Sequence, residues 1–140
     1  MKIKIKYHGV DKVMRFKQGD WVDLKAAETV HMKQGEYAMI PLGVSMKLPK
    51  GYEAHVVPRS STFGKYSITM ANGIGIIDNS YSGTDDVWHF PAIAHKDTLI
   101  LKGDRICQFR ILKRMGKVKF VEVDKLDDVC RGGFGSTGRR

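Results

Sequence analysis

The sequence predicts an all-β domain, a sandwich or barrel built from many short strands. Three observations carry this expectation. Helical periodicity is almost absent. Short apolar runs recur along the chain, at 37–40, 44–48, 53–57, 74–77, 87–93, 98–101, 106–112 and 118–123. Gly, Pro, Asn and Asp punctuate those runs, as in Pro41-Leu42-Gly43, Pro49-Lys50-Gly51, Asn72-Gly73 and Lys102-Gly103-Asp104.

The first strand is the plainest. Ile3, Ile5 and Tyr7 alternate with Lys2, Lys4 and Lys6, so one face is buried and the other is coated with lysine. One short helix is expected after Pro58, because proline is tolerated where a helix begins. No repeat or linker interrupts the chain. The composition breaks near Leu126, where a glycine-rich tail begins, which divides the chain into a β domain over 1–125 and a tail over 126–140.

A chain of 140 residues fits one domain. Its hydrophobic content of 42% and charged content of 28% are those of an ordinary globular chain, and no apolar run reaches the length of a membrane span. The N-terminus has the charge of a signal peptide without its apolar stretch, so the expected location is cytoplasmic. Cys107 and Cys130 lack metal-ligand spacing and read as reduced thiols. A net charge of +9 favours an anionic partner. No stripe of aromatics accompanies the lysines, so no stable nucleic-acid complex is expected.

The tail runs Arg131-Gly132-Gly133-Phe134-Gly135-Ser136-Thr137-Gly138-Arg139-Arg140. It cannot build a core. It can wrap a polyanion, since glycine lets backbone N–H groups approach phosphate, Ser and Thr add donors, and Arg adds a charged fork. Phe134 suits stacking on a base. The tail is a nucleotide lid or a plain disordered terminus.

Four further segments carry polar chemistry. Pro58-Arg59-Ser60-Ser61-Thr62 is a phosphate site if a helix opens behind it, or an ordinary capped turn. Gly73 to Gly83 contains an apolar run ending in Asp78, with Tyr81 three residues on. It looks like a hairpin whose backbone edge could read a base, with Asp78 as general base or simply a turn residue. Gly103-Asp104-Arg105-Ile106-Cys107-Gln108 is a turn entering a buried strand, with Asp104 and Arg105 as an ion pair and Gln108 facing a ligand. Asp20 to Ala27 reads as an N-terminal turn.

Together, in order, these segments resemble the five signature motifs of the trimeric deoxyuridine triphosphatase (dUTPase) family. Asp23-Leu24-Lys25-Ala26 resembles the first, Pro58-Arg59-Ser60-Ser61 the second and Gly75 to Gly83 the third. Gly103 to Gln108 resembles the fourth and Arg131 to Gly138 the fifth. Trp21-Val22 before Asp23, and Val87-Trp88-His89-Phe90, are similar to dUTPases of Bacillus-like bacteria and their prophages. Four positions depart from the family pattern: Trp21-Val22, Ser61 in place of glycine, Cys107 in place of alanine, and Arg131 standing only two glycines before Phe134.

The resemblance implies a jelly-roll-like β domain and a homotrimer, with the C-terminal arm of one chain over a neighbouring site. It implies Mg2+-dependent hydrolysis of dUTP to dUMP and pyrophosphate by attack of water on the α-phosphorus. That reaction limits uracil entry into DNA and supplies dUMP. Asp78 would be the general base. Arg59, Ser60, Ser61 and Gln108 would hold or support the phosphates. Asn72 and the backbone of Gly75, Ile76 and Ile77 would read uracil, and Tyr81 would pack under deoxyribose. Arg131, Phe134, Gly135, Ser136 and Thr137 would close as the lid, with Phe90 helping to seal it. Asp23 would contact the metal through water. Two other readings stand beside this one. A dCTP deaminase would need a glutamate near Trp88, and the segment from Thr84 to Ile93 has none. A phage-type enzyme would also bind a regulatory protein.

Overall fold

The computed structural model describes residues 1–15, 18–127 and 129–135. Among these, eleven strands surround one short helix. The strands are β1 (Lys4–Tyr7), β2 (Val22–Lys25), β3 (Val30–Met32), β4 (Tyr37–Pro41), β5 (Val44–Lys47) and β6 (Tyr52–Pro58). After α1 (Thr62–Tyr66) come β7 (Ile68–Met70), β8 (Gly75–Ile77), β9 (His89–Ala94), β10 (Thr98–Ile100) and β11 (Arg105–Lys113). The all-β expectation holds, and no helix among the described residues is long and apolar enough to cross a membrane.

Strand pairing is mostly between segments distant in sequence. The largest sheet runs β2-β11-β6-β8, a second runs β4-β9-β7, and two ribbons pair β1 with β5 and β3 with β10. Every pairing is antiparallel. β6 and β11 are the longest strands and form the spine of the large sheet, from Cys107 opposite Pro58 to Lys113 opposite Tyr52. Inward residues of the layers meet in one core, where Leu24, Ile40, Leu42, Val44, Trp88, Phe90 and Ile106 are fully buried. Trp88 meets the ring of Phe109 edge to face at 5.3 Å, a favoured aromatic arrangement.

One turn shows why the sequence needs its glycine. Gly43, between β4 and β5, has φ +68°, and a Cβ there would stand 2.4 Å from Val10 Cγ1. Only glycine satisfies both demands. The bend lets the N–H of Leu42 donate to the carbonyl of Trp88, while the Trp88 N–H donates to the carbonyl of Val44. These two bonds fix the backbone at Trp88, whose side chain is fully buried in the core.

The structure departs from the sequence expectation in several places. β2 is a strand where a turn was expected, because Leu24, Asp23 and Val22 pair with Cys107, Gln108 and Phe109 of β11. β3 and β7 are three-residue strands too short to show an alternation. The run 118–123 joins no sheet among the described residues, and its Phe120 is 92% exposed. The last strand ends at Lys113, and residues 115–127 lie exposed beyond it.

Candidate active site

At one end of the large sheet, β6 delivers Arg59 into a tight turn. The N–H of Thr62 donates to the carbonyl of Arg59 at 3.1 Å. The Thr62 hydroxyl accepts from the Arg59 N–H at 2.9 Å and donates to the carbonyl of Ile106 at 2.8 Å. Thr62 is fully buried, so this hydroxyl rivets the turn to β11. Helix α1 begins there. Ser61 occupies its N-cap position without a side-chain capping bond, so its hydroxyl is not spent on the helix.

The guanidinium of Arg59 reaches back to β2, where its Nε lies 3.2 Å from Asp23 Oδ1. The other oxygen of Asp23 is 3.1 Å from Nη1 of Arg105. One carboxylate therefore aims two arginines, and the trio keeps a net positive charge suited to an anion. Gln108, opposite Asp23 in the ladder, donates from Nε2 to the Pro58 carbonyl at 3.3 Å. The expected pair between Asp104 and Arg105 is not formed. Asp104 instead accepts from the Leu101 N–H at 2.9 Å and closes its own turn. A cleft of about 640 Å³ opens beside this group, lined by Lys25, Arg59, Lys65, Tyr66 and Arg105. Burial, followed by the charge of Asp104, pushes the Tyr66 phenol above its ordinary value.

The second group lies past the end of β8. Asp78 is exposed, and one of its oxygens accepts from both the hydroxyl and the N–H of Ser80. The hydroxyl bond, then the backbone bond, holds its carboxyl below the ordinary carboxylate value. Asn79 tethers the loop, donating to the carbonyls of Leu48 at 2.9 Å and Pro49 at 3.0 Å. The Tyr81 hydroxyl donates to the carbonyl of Val87 at 2.9 Å.

β8 joins the two groups. It pairs on one side with β6 and forms the edge of its sheet. The expected hairpin is not formed. β7, which leads into the Met70–Gly73 turn, pairs with β9 in the other sheet, and the chain after Asp78 returns as an irregular loop. Asn72 is exposed on that turn, whose Gly73 has φ +71°.

Register separates the two groups. Gly75 faces Val56 and Ile77 faces Ala54, so Asp78 falls level with Glu53. Asn79 confirms this end, because Pro49 belongs to the turn that opens β6. Arg59 lies six residues farther along, about 20 Å at the rise of a strand. A single chain thus gathers Asp23, Arg59, Ser60, Ser61 and Gln108 at one end and Asp78 and Tyr81 at the other.

Other expected residues scatter. Arg131, Phe134 and Gly135 are exposed on the arm, while Ser136 and Thr137 lie outside the described residues. Phe90 is fully buried and cannot seal a lid, because it fills the core. Trp88 is fully buried where a deaminase would carry its glutamate. Burial raises the thiol of Cys107 far above its ordinary value, with a smaller contribution from Asp23. Among the described residues no three His, Cys, Asp or Glu side chains come together to hold a metal. Sequence reasoning missed the roles of Asn79 and Ser80 and the link from Arg105 to Asp23, and it counted the Thr62 hydroxyl toward a phosphate site, whereas that hydroxyl is buried and spent on the backbone of Arg59 and Ile106. An Asp followed two residues later by Ser is a recognisable turn signal and could have found Ser80. The link to Arg105 leaves no local trace.

A strand-built domain with a carboxylate-aimed arginine pair at one end of a sheet, and an exposed carboxylate at the other, is a β protein with a site suited to an anion. Comparison with known proteins supplies the family. The dUTPase family model matches residues 21–138. The chain is 54% identical over 142 residues, spanning all of both chains, to the SPbeta prophage-derived deoxyuridine 5'-triphosphate nucleotidohydrolase YosS of Bacillus subtilis (strain 168). A mutant Staphylococcus bacteriophage 80alpha dUTPase with dUpNHpp shares the fold at TM-score 0.77 and 22% identity, covering 99% of each chain. Phage dUTPases of that kind are described as controlling the transfer of virulence genes. A mutant dUTPase from phage phi11 of S. aureus, described with a structural Mg(II) ion, shares the fold at TM-score 0.75 and 18% identity, covering 89% of this chain and 98% of that one. The chain belongs to the dUTPase family.

Proposed function

We propose that this chain hydrolyses dUTP to dUMP and pyrophosphate at sites shared between copies, removing a precursor of uracil in DNA and supplying dUMP. The observation that carries the shared site is the distance along the β6–β8 ladder. Asp78 and Arg59 stand about 20 Å apart in one chain, too far to serve one triphosphate. A trimer that sets the Asp78 end of one chain against the Arg59 end of another supplies the missing half.

The geometry supports the following roles. Arg59, aimed by Asp23, and the hydroxyls of Ser60 and Ser61 hold phosphate oxygens, with Gln108 beside them. The open edge of β8, from Gly75 to Ile77, offers backbone donors and acceptors to uracil, and Asn72 lies at its start. A backbone-lined slot excludes the thymine methyl by overlap. Tyr81, held by Val87, forms a floor for deoxyribose. Asp78 orients the attacking water and accepts its proton. The hydroxyl and N–H of Ser80 hold its carboxyl below the ordinary carboxylate value and so favour the ionised form that a base needs.

The described residues make no protein cage for a metal. They fit Mg2+ carried on the triphosphate, held by phosphate oxygens and water. Bound there, it would offset the phosphate charge. Asp23 positions Arg59 and Arg105 with its two oxygens, and their remaining lone pairs serve a water-mediated contact with the metal. Residues 126–140 act as the lid, with Phe134 stacking over uracil and Arg131, Gly135, Ser136 and Thr137 on phosphate.

Mixing tests the shared site. Asp78→Asn chains and chains lacking residues 130–140 should each be nearly inactive, and mixed trimers should regain partial activity. No recovery in verified mixed trimers would sink the proposal. Supplying each dNTP with magnesium, and measuring pyrophosphate and ammonia separately, tests the reaction; ammonia from dCTP would mark a deaminase. A regulatory protein partner is a second reading, favoured by the prophage origin of the relative that is 54% identical. Its measure is a change in binding to a purified partner between analogue-bound and free enzyme.

A further inference from the structure

We propose that the lysine face of the β1–β5 ribbon docks the phosphate backbone of nucleic acid, weakly and without sequence preference. Lys4 and Lys6 point outward from β1, against the half-buried Ile5 and Tyr7, and Lys2 continues the row. β5 sets Lys47 directly across from Lys4. Like charges at paired strand positions repel, a cost that any neutral residue would remove. Lys6 has a carboxylate nearby, Asp85 at 3.9 Å, with both groups exposed. Among the described residues, Lys2, Lys4 and Lys47 have no ion-pair partner.

The chemistry of the face selects the partner. Its paired positions, Lys4 with Lys47 and Lys6 with Ser45, carry three ammonium groups and no aromatic or aliphatic side chain to serve as an anchor, and Lys2 adds a fourth ammonium before the strand. Protein interfaces concentrate their energy in such anchors, whereas a phosphate backbone requires none. Lysine is a point charge without the fork that reads a base edge. The row from Lys2 to Lys6 spans about 13 Å. Duplex DNA carries a charge about every 1.7 Å of axis, so each lysine meets phosphate whatever the register. The missing aromatics keep this contact electrostatic, which agrees with the expectation that no stable complex forms. None of the four lysines belongs to either group of the candidate site.

The test is fluorescence anisotropy of the full chain with a labelled random-sequence duplex of about 20 base pairs, between about 50 and 200 mM salt. Wild type should show a log–log salt slope of about −3 to −4, from four phosphate contacts. Changing Lys2, Lys4 and Lys47 together to Gln should make the slope shallower by about 2–3 and weaken low-salt binding at least about tenfold. Arg at the same three positions should preserve the slope, which keeps the test decisive if the Gln variant folds poorly. Changing Lys33, Lys96 and Lys102 to Gln removes equal charge elsewhere and should leave affinity within about threefold. Turnover of dUTP should not change in any variant. Absent binding by wild type, or equal weakening in the Lys33 control set, overturns the proposal. Tighter binding of poly-glutamate than of duplex at equal charge also overturns it, by pointing to an acidic protein.

Discussion

The two ends of the β6–β8 ladder are held by opposite means. At the Arg59 end a local Arg59–Thr62 turn is tied across to other strands: Thr62 to Ile106, Asp23 to Arg59 and Arg105, Gln108 to Pro58. At the Asp78 end the carboxylate is exposed, and its hydrogen bonds come from Ser80, two residues away. The end proposed to grip phosphate is preorganised by the core of its own chain. At the end proposed to activate water, Asn79 ties the loop to Leu48 and Pro49, while the carboxylate itself is steadied by Ser80 and left open. That asymmetry suits a site assembled from separate chains, where the charged grip must exist before the partner arrives.

The largest effect on turnover should come from the open end. Asp78→Asn keeps shape and an acceptor for Ser80 but removes the base, so turnover should fall by about 10²–10⁴-fold. Because the group is exposed, the melting temperature should stay put. Steady-state assays beside thermal unfolding check both, and a drop in stability matching the drop in rate would erase the contrast between the ends.

At the tied end, substitutions should cost stability and rate together. Asp23→Ala leaves two guanidiniums facing one another. It should lower stability by about 1–3 kcal/mol, with the contribution of the more exposed Arg105 discounted. Misaimed arginines should reduce kcat/KM by up to about 100-fold. Asp23→Asn should lie between Ala and wild type in both measures. Denaturant titration with dUTP kinetics on the same preparations reads the two effects side by side.

Thr62→Val is a finer probe. It preserves volume yet strands the Arg59 N–H and the Ile106 carbonyl in a buried place. About 2–3 kcal/mol of stability should be lost, with kcat/KM falling less than in Asp23→Ala because Asp23 still aims Arg59. Thr62→Ser keeps the hydroxyl and should recover most of the loss.

Much of this fold could be read from local pattern, and the site only in pieces. The runs that became β4, β5, β6, β9 and β11 combine apolar content with clear punctuation, which alternation and turn chemistry express directly. β2 could not be read so, because Val22-Asp23-Leu24-Lys25 becomes a strand through pairing with β11, 82 residues away at the Asp23–Arg105 contact. The motif residues were legible through their resemblance to a family. Their separation into two ends was not, since it depends on Ile77 facing Ala54 rather than Val56. Phe90 misled for a similar reason. A strand aromatic beside His89 gives no sign of facing the core until its sheet is in place.

The smallest effect at neutral pH should come from Ser80→Ala, and it tests the local hold on Asp78 directly. The Ser80 hydroxyl is the largest cause lowering the Asp78 pKa, and the Ser80 N–H would remain. Removing the hydroxyl bond should therefore move the pKa part of the way back up toward the ordinary carboxylate value. The sign for catalysis follows. A base must be ionised, so activity is lost as pH falls through its pKa. The acid limb of the kcat/KM profile should shift to higher pH in the variant, with the neutral plateau nearly unchanged. Stability moves in the same sense. A folded-state pKa below the unfolded value stabilises the fold above the unfolded pKa, and that stabilisation fades as pH falls through the folded one. Exposure keeps this contribution small, so the kinetic profile is the sensitive readout. Ser80→Thr retains the hydroxyl and should keep the acid limb of wild type. An acid limb that does not move in Ser80→Ala would mean that the limb reports a group other than Asp78, and the tied end would then have to supply the titrating group.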